Sequence, residues 1–344
     1  MLRVAIIGLG KQALDDHIPA IVDSELLEMA AVCDIDEAKA AKTAERLVVP
    51  WFTNVGDLVQ KIKFDVAVLA VPHNQYLPII ITLANAGIHI IKEKPFATTI
   101  DEAISIHKAI SGKVFLGVTL QRRFNPIYQA FPQMQRQIGK IYSIEGKYTF
   151  NITDLGSGWR ASKKEAGGGA LIDMGYHLID LLVWYFGMPK TVTARMSCGN
   201  RVGQQYDVED TVNVLFDFYL PQSYSEKTIG NFIISRVYPN KQETMTVYGT
   251  KGIVELKRGE LTRYDCNDGE VEKLIRKDSW PSALSDQLTA FVSAIESGKV
   301  WGFEDLESHI PHVAIIQAAY DSDSRSTSCS PEEYLKRLEE VRNG

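Results

Sequence analysis

The stretch Leu2–Ala13, LRVAIIGLGKQA, decides the fold, because an apolar run leads directly into a glycine-rich turn. Its last six residues match the pattern G-x-G-x-x-A after a strand and before a helix, which is the context that gives this pattern its meaning. Gly8 makes the tight turn, Gly10 lets the backbone approach a pyrophosphate, and Ala13 is small enough for close packing of the helix on the strand. The N-terminus of the helix then faces the anion. The stretch predicts a dinucleotide-binding turn.

An acidic residue stands where such a turn needs one. Asp34 ends the second apolar run, 24 residues after Gly10, where its carboxylate can accept hydrogen bonds from a ribose and repel a 2′-phosphate. Ile35 comes next, so no arginine is placed to compensate a phosphate, although Lys11 lies nearby. We therefore expect NAD as the cofactor, with NADP as the alternative. The other interpretation is a tight turn without a ligand, followed by an acid at a helix N-terminus.

Short apolar runs alternate with helical patterns through the first third of the chain. The runs are rich in β-branched residues and apolar on both faces, which is typical of strands between two helical layers. They lie at 2–8, 27–34, 66–72, 89–95 and 113–118, and helical patterns lie at 36–47, 75–87 and 99–112. This alternation predicts an α/β domain with a doubly wound parallel sheet, over residues 1–122.

The pattern changes after about residue 122. Strand patterns now follow one another, near 141–153, 190–198, 208–220, 227–237, 242–249 and 252–257. One almost entirely apolar helix, about 170–186, interrupts these strands. The chain ends with helices at 282–297, 304–320 and 331–342, and a polar connector at 321–330 separates the last two. Consecutive strands with short links predict an antiparallel or mixed sheet, in a second domain of residues 123–344.

Composition argues against several other classes of protein. With 344 residues, 45% of them apolar, the chain is long enough for about two domains and too apolar to be disordered. Its net charge of −6, without a basic run, argues against nucleic-acid binding. The four cysteines form no CxxC pair, so we expect neither a metal site nor a disulfide framework. Since no signal-peptide pattern and no apolar stretch of about 20 residues is present, we expect a cytoplasmic protein without a membrane span.

Two lysines end the strand pattern HIIKEKP at 89–95. Pro95 cannot continue a strand, and the carboxyl edge of an open parallel sheet is where ligands bind. Lys92 or Lys94 could therefore donate a hydrogen bond to a substrate oxygen. The alternative is that both are solvated charges at the edge of the sheet.

The apolar helix near 170–186 carries three ionisable residues, Asp173, His177 and Asp180. Their spacings of four and three residues place them on one stripe of an α-helix. A carboxylate one turn from an imidazole can orient it as a general acid–base, and the glycines at 167–169 would let a ligand approach the backbone. The alternative is a structural network of histidine and aspartate in a buried helix.

Several motifs together resemble the glucose–fructose oxidoreductase/inositol dehydrogenase (Gfo/Idh/MocA) family, over most of the chain. They are GLGKQA at 8–13, HIPA at 17–20, EKP at 93–95, QRRFNP at 121–126, WR at 159–160, GGGALIDMGYHLID at 167–180, VEDT at 208–211 and GTKGI at 249–253. The resemblance implies an N-terminal Rossmann domain and a C-terminal α+β domain with a large, open, mostly antiparallel sheet. It also implies NAD(P)-dependent oxidation or reduction of a sugar, polyol or related carbonyl compound.

The resemblance also implies which residues form the site. Lys94 of EKP, with Asp173 and His177 of the D-x-x-x-H pattern, would be the catalytic residues. The cofactor would be held by Gly8, Gly10, Lys11, Gln12, Ala13, Asp34, Pro72, Glu93 and Lys94. Arg160 is a candidate substrate contact. The family often has a histidine near position 76, where this chain has Tyr76, a second candidate contact.

Together these observations predict an oxidoreductase that transfers a hydride between NAD(P) and a secondary alcohol or ketone. His177 would exchange the proton with the reacting oxygen, Lys94 would stabilise its developing charge, and Asp173 would orient His177 or bind a neighbouring hydroxyl. One alternative is a non-catalytic sensor that binds NAD(P) and a sugar and acts through a protein partner. Another is an enzyme that recycles a bound cofactor within one turnover.

Two further expectations concern the second sheet and the peptide bond before Pro95. The strand at 212–220, VNVLFDFYL, is too apolar to remain solvated, which predicts a homodimer or homotetramer that buries the second sheet. The resemblance also implies a cis peptide bond before Pro95.

Overall fold

The computed structural model describes residues 1–220, 227–267, 269–276, 279–299 and 303–343. The chain forms two compact units. The first comprises Met1–Ala97, Asp101–Gln121 and Pro281–His309, and the second comprises Thr98–Ile100, Arg122–Trp280 and Ile310–Gly344. The segment Pro281–His309 therefore belongs to the first unit, whereas the sequence assigned it to the second domain. Packing explains the difference, because the ring of Phe291 lies 5.8 Å from the ring of Phe115 in the first unit.

The first unit is built on one parallel sheet. Its strands are β1 (Leu2–Ile7), β2 (Leu27–Cys33), β3 (Trp51–Phe52), β4 (Val66–Leu69), β5 (His89–Lys92) and β6 (Leu116–Val118). They lie in the order β3-β2-β1-β4-β5-β6, and all neighbours are parallel. The predicted doubly wound sheet is confirmed. The order changes direction between β1 and β4, which is where such sheets bind ligands.

Short helices connect these strands. They are α1 (Ile18–Val22), α2 (Glu37–Leu47), α3 (Val55–Lys61), α4 (Tyr76–Asn85) and α5 (Ile100–Ile110). The Asp36 carboxylate caps α2 by accepting a hydrogen bond from the Lys39 N–H at 3.0 Å. The sequence did not predict β3 or α3, because two and seven residues are too few to show a period.

The second unit is built on an eight-stranded sheet. Its strands are β7 (Ile141–Asn151), β8 (Thr191–Ser197), β9 (Thr211–Phe218), β10 (Thr228–Ser235), β11 (Val237–Gly249), β12 (Gly252–Lys257), β13 (Glu260–Asp265) and β14 (Gly269–Ile275). Their order is β14-β13-β12-β11-β7-β10-β9-β8. Among these strands β7 and β10 pair in parallel, and the other neighbours are antiparallel. The predicted mixed, mostly antiparallel sheet is confirmed.

Strand β9 alternates between two faces instead of being apolar on both. Val212, Val214, Phe216 and Phe218 are buried within the single chain, whereas Leu215 is 51% exposed. The premise that this whole strand is too apolar to remain solvated is therefore wrong, because its own unit buries the apolar face. The expected dimer or tetramer stays a prediction.

The remaining helices are α6 (Pro126–Gln135), α7 (Lys163–Ala166), α8 (Tyr176–Phe186), α9 (Ser279–Glu296), α10 (Phe303–Arg325) and α11 (Glu332–Asn343). The polar segment 321–330 is only partly a connector, because α10 continues to Arg325. Asp321, inside α10, accepts a hydrogen bond from the Tyr334 hydroxyl at 2.6 Å, which gives this polar turn a tertiary contact. Across the described parts of the chain, no helix is both long enough and apolar enough to span a membrane.

Candidate active site

The glycine turn after β1 is shaped by the neighbouring strand. Gly8 has φ of 90°, and a Cβ atom there would lie 2.4 Å from the carbonyl oxygen of Ala70, just beyond β4. Glycine is therefore required at this position by backbone packing. A Cβ atom at Gly10 would meet no heavy atom within 4 Å, and Gly10 is exposed. The turn has one glycine packed against the sheet and one that leaves room for a diphosphate.

Asp34 ties the end of β2 to this turn. One of its carboxylate oxygens accepts a hydrogen bond from the Leu9 N–H at 2.6 Å, and the other accepts one from the Asp36 N–H at 2.9 Å. Each carboxylate oxygen has a further lone pair that can accept from a ribose hydroxyl. Ile35, the next residue, is exposed. The structure thus brings Gly8, Gly10 and Asp34 to one edge of the sheet.

The next three residues of the motif start a helical segment. Ala13 is fully buried, and it begins a π-helical turn, Ala13–His17, that leads into α1. The side chains of Lys11 and Gln12 reach forward to the carboxylates of Asp15 and Asp16. The Asp15 carboxylate raises the pKa of Lys11. The Lys11 ammonium, which lies next to the turn, is therefore paired with the Asp15 carboxylate.

Strand β5 leads into the turn that carries Lys94. The Lys94–Pro95 peptide bond is cis, which confirms the expectation. Glu93 is buried, and its Oε1 atom lies 2.8 Å from Nε2 of His17. Burial alone would raise the pKa of Glu93, but the hydrogen bond and charge of His17 lower it. His17, which lies in the HIPA motif, was not predicted as a site residue.

Lys92 is fully buried, so it is not a solvated charge at the sheet edge. Its ammonium lies 3.8 Å from the centre of the Tyr76 ring, which is itself buried. Tyr76 also stacks with His73, with ring centres 6.1 Å apart. Pro72, half-buried, precedes a short 3₁₀ turn that starts at His73. The structure therefore places Tyr76, a candidate substrate contact, in the interior against Lys92.

In the second unit, Asp173 lies on a π-helical turn, Leu171–Gly175, that leads into α8. Such turns are frequent at functional sites. Oδ2 of Asp173 accepts a hydrogen bond from Nη2 of Arg236 at 3.0 Å, and Nε of Arg160 lies 3.3 Å from the same oxygen. Arg236 follows β10, is 2% exposed and also donates to the Gly169 carbonyl at 3.0 Å. No local sequence pattern marks Arg236, so it was not predicted as a site residue.

The π turn interrupts the α-helical stripe expected for Asp173, His177 and Asp180, because its hydrogen bonds span five residues. Asp180 is buried, and its Oδ1 atom lies 2.9 Å from Nε of Arg123 and 3.0 Å from Nε2 of His312. Burial opposes ionisation, but these two partners lower the pKa of Asp180 to about 2. Asp180 therefore belongs to the structural network that was the alternative for this helix.

His177, on α8, is half-buried beside aromatic and paired charged groups. Its ring centre lies 6.2 Å from that of Tyr148 on β7. Nε of Arg122 donates to Oε1 of Glu243 at 2.8 Å, and the Arg122 guanidinium lies 5.7 Å from the Tyr148 ring centre. Burial and the nearby Glu243 carboxylate raise the pKa of Tyr148. Tyr148 lies outside the motifs and was not predicted as a site residue, whereas Arg122 lies in the QRRFNP motif.

The glycines before the π turn make room for the protein itself. A Cβ atom placed at Gly168 would lie 1.9 Å from the Tyr320 hydroxyl oxygen, and one placed at Gly169 would lie 1.9 Å from the Glu209 carbonyl oxygen. The Glu209 carboxylate accepts hydrogen bonds from the N–H groups of Gly169 and Leu171, at 2.8 and 3.0 Å. The expectation that these two glycines admit a ligand is wrong, because the chain's own side chain and backbone approach them.

Two models of one family match separate parts of the chain. The oxidoreductase family with an NAD-binding Rossmann fold matches residues 2–117, and the GFO/IDH/MocA C-terminal domain matches residues 134–255. The chain belongs to the Gfo/Idh/MocA family. The protein is accordingly an oxidoreductase with an NAD-binding Rossmann domain, as its sequence motifs predicted.

Relatives of this family member match along most of its length. It is 27% identical over 328 residues to the rhizopine catabolism protein MocA of Rhizobium meliloti, covering 94% of this chain and 95% of that protein. It is 26% identical over 309 residues to a scyllo-inositol 2-dehydrogenase (NADP(+)) of Bacillus subtilis, covering 87% and 90%. A solved structure of levoglucosan dehydrogenase in complex with NADH and levoglucosan has a TM-score of 0.81 at 21% identity, covering 96% of this chain and 99% of that one. This structural likeness shows the fold.

Proposed function

We propose that this oxidoreductase transfers a hydride between NAD(P) and the hydroxyl-bearing carbon of a sugar, cyclic polyol or related compound. The observation that carries the proposal is that one chain contains both a glycine turn braced by Asp34 and a buried helix presenting Asp173 and His177. The names of relatives support the substrate class. They include a scyllo-inositol 2-dehydrogenase and, at 27% identity over 241 residues, the D-glucoside 3-dehydrogenase of Escherichia coli.

The residues of the first unit fit the cofactor. The open space beside Gly10 suits a diphosphate, and Asp34 has acceptor capacity left for ribose hydroxyls. When bound, the nicotinamide would accept or supply the hydride. Lys11, Gln12, Ala13, Pro72, Glu93 and Lys94 complete the proposed cofactor-binding set. Since Glu93 pairs with His17, we assign it to holding the turn that carries Lys94.

Three side chains handle the proton and the developing charge in this proposal. His177 takes the hydroxyl proton during oxidation and returns it during reduction. Lys94 donates a hydrogen bond to the reacting oxygen and stabilises the negative charge that develops on it. Asp173, held by Arg236, orients His177 or accepts a hydrogen bond from a neighbouring hydroxyl.

Arg160 is the better supported of the two candidate substrate contacts. Its side chain is 52% exposed, its guanidinium lies 4.2 Å from the Trp159 ring centre, and Nε contacts Asp173. The planar guanidinium has further donors that suit hydroxyl oxygens. Tyr76 is buried against Lys92, which leaves its ring little surface for a substrate.

A turnover screen tests the proposal. Purified protein is mixed with NAD and a panel of cyclic polyols, aldoses, glycosides and nucleotide sugars, and the absorbance of reduced cofactor is followed. We expect sustained multiple turnover with at least one compound, with His107→Asn on α5 as a histidine control that retains activity. Binding of NADH without turnover of any compound would favour the sensor alternative. A purified protein that already carries cofactor absorbance, and turns over only with two sugars present, would indicate internal recycling.

We further propose self-association through the outer face of the second sheet. This face carries the exposed Leu215 and Ile229, beside the ion pair of Glu145 and Lys147 at 3.0 Å. A dimer or tetramer would bury these apolar side chains. Light scattering at micromolar concentration should give a multiple of 38.4 kDa, and a monomer mass would contradict the proposal.

Exposed free thiols at Cys198 and Cys266 suit a reducing compartment such as the cytoplasm.

A further inference from the structure

Lys92 is a fully buried lysine that the proposed proton and hydride transfers do not use. It is the last residue of β5, and its Nζ atom donates hydrogen bonds to the carbonyl oxygens of Pro95 and Phe96, the latter at 3.1 Å. The side chain therefore reaches forward over the turn Glu93–Phe96. That turn contains Lys94.

The ammonium is shielded from solvent by the surrounding side chains. It lies 3.8 Å from the centre of the buried Tyr76 ring, within the range of a cation–π interaction. The adjacent carboxylate, Glu93, contacts His17. Burial lowers the pKa of Lys92 to about 7, even though the charges of Glu102 and Glu93 act in the opposite direction. Both the ammonium and the neutral amine retain N–H donors, so the two carbonyls keep a partner in either state.

Lys92 supplies a charged donor to two carbonyls of this turn. Pro95 and Phe96 are buried, and strand β5 has already ended at Lys92. Because hydrogen bonds from a charged donor are among the stronger ones, losing these favours local opening of the chain by about tenfold or more. Lys92 therefore helps to hold this turn closed.

We propose that Lys92 is a positioning residue for Lys94: it holds the Glu93–Phe96 turn in the conformation from which Lys94 reaches the reacting oxygen. The inference rests on the proposed function, because Lys92 acts on the reaction only through Lys94.

The first test measures the turn without using activity. Lys92→Met removes the donors and keeps an unbranched chain, and Lys113→Met is the matched control, an exposed lysine of the same unit. Hydrogen exchange of a peptide spanning 93–98 should be at least about tenfold faster in Lys92→Met and unchanged in Lys113→Met. Equal exchange rates for this peptide in Lys92→Met and wild type would overturn the proposal. If neither Lys92→Met nor Lys92→Gln folds, Lys92 is a folding determinant and the inference is overturned.

The second test asks whether Lys92 acts through Lys94. Lys92→Met should lower kcat about tenfold or more, with the KM for substrate changed less than about threefold. In a Lys94→Ala background the same substitution should change kcat less than about twofold, because the group it positions is gone. Losses that multiply would overturn the inference while leaving the proposed function intact. Wild-type kcat in Lys94→Ala would instead contradict the role proposed for Lys94.

Discussion

Replacing Arg236 by methionine tests how Asp173 is held in place. Arg236 is 2% exposed, and its Nη2 atom donates to the Asp173 carboxylate and the Gly169 carbonyl, both at 3.0 Å. A hydrogen bond to a charged group contributes about 1.5–3 kcal/mol and one to a neutral carbonyl about 1 kcal/mol. Methionine fills much of the volume of the apolar part of the Arg236 side chain. The Asp173 side chain, 14% exposed, keeps Arg160 as a partner in the variant. We therefore expect the free energy of unfolding to fall by about 3 kcal/mol.

Calorimetry of the variant checks this magnitude. A loss of about 3 kcal/mol should lower Tm by about 6–12 °C for a unit of this size. The matched control is Arg195→Met on β8, an exposed arginine whose Nη1 atom contacts main-chain carbonyls of Ala194 and Ser322. We expect that control to stay within about 2 °C of wild type. The reasoning is refuted if both arginine variants unfold at the same temperature.

Three further predictions concern the reaction and the charges around it. His177→Asn should lower kcat by about 10²–10⁴-fold and flatten one limb of the pH–rate profile, whereas NADH binding, measured by fluorescence, should be retained. An unchanged pH–rate profile would mean that another residue accepts the proton. The kcat/KM for NAD should exceed that for NADP because of the Asp34 carboxylate, and equal values would contradict this. Because the pKa of Asp180 is lowered, its ionised form stabilises the fold above about pH 4, and this contribution of about 2 kcal/mol is lost as the pH falls toward 2. Asp180→Asn should remove this part of the acid dependence of Tm, and an unchanged acid dependence in the variant would argue against the reasoning.

The sheet of the first unit could be predicted because its signals are local. The strand Val66–Leu69 in the apolar run 66–72 is buried on both faces, and the glycine turn marks the end of β1. Strands β13 and β14 were not predicted, because ELTRYD and GEVEKLI are polar strands toward one edge of the sheet. An edge strand needs only backbone pairing, which leaves little hydrophobic period to read.

The candidate site was predictable where a motif contains the residue, and less so where a distant segment supplies it. EKP and D-x-x-x-H contain Lys94, Asp173 and His177. Arg236 and Glu209 act on the D-x-x-x-H stretch from other strands or loops, so their contacts depend on the tertiary fold. The glycines at 167–169 show the same limit, since the sequence reveals a need for space without revealing what fills it.

The segment Pro281–His309, which completes the first unit, has a consequence for how the protein is made. Strands β1–β6 leave the ribosome long before this segment is synthesised, by a delay on the order of ten seconds at ordinary elongation rates. During that delay Phe115 and the space beside Gly117 lack Phe291, whose ring would lie 2.9 Å from a Cβ atom placed at Gly117. A recombinant fragment that stops at residue 122 would retain this apolar surface permanently. Such a fragment should therefore aggregate, and adding 281–309 in cis should improve its yield of folded protein.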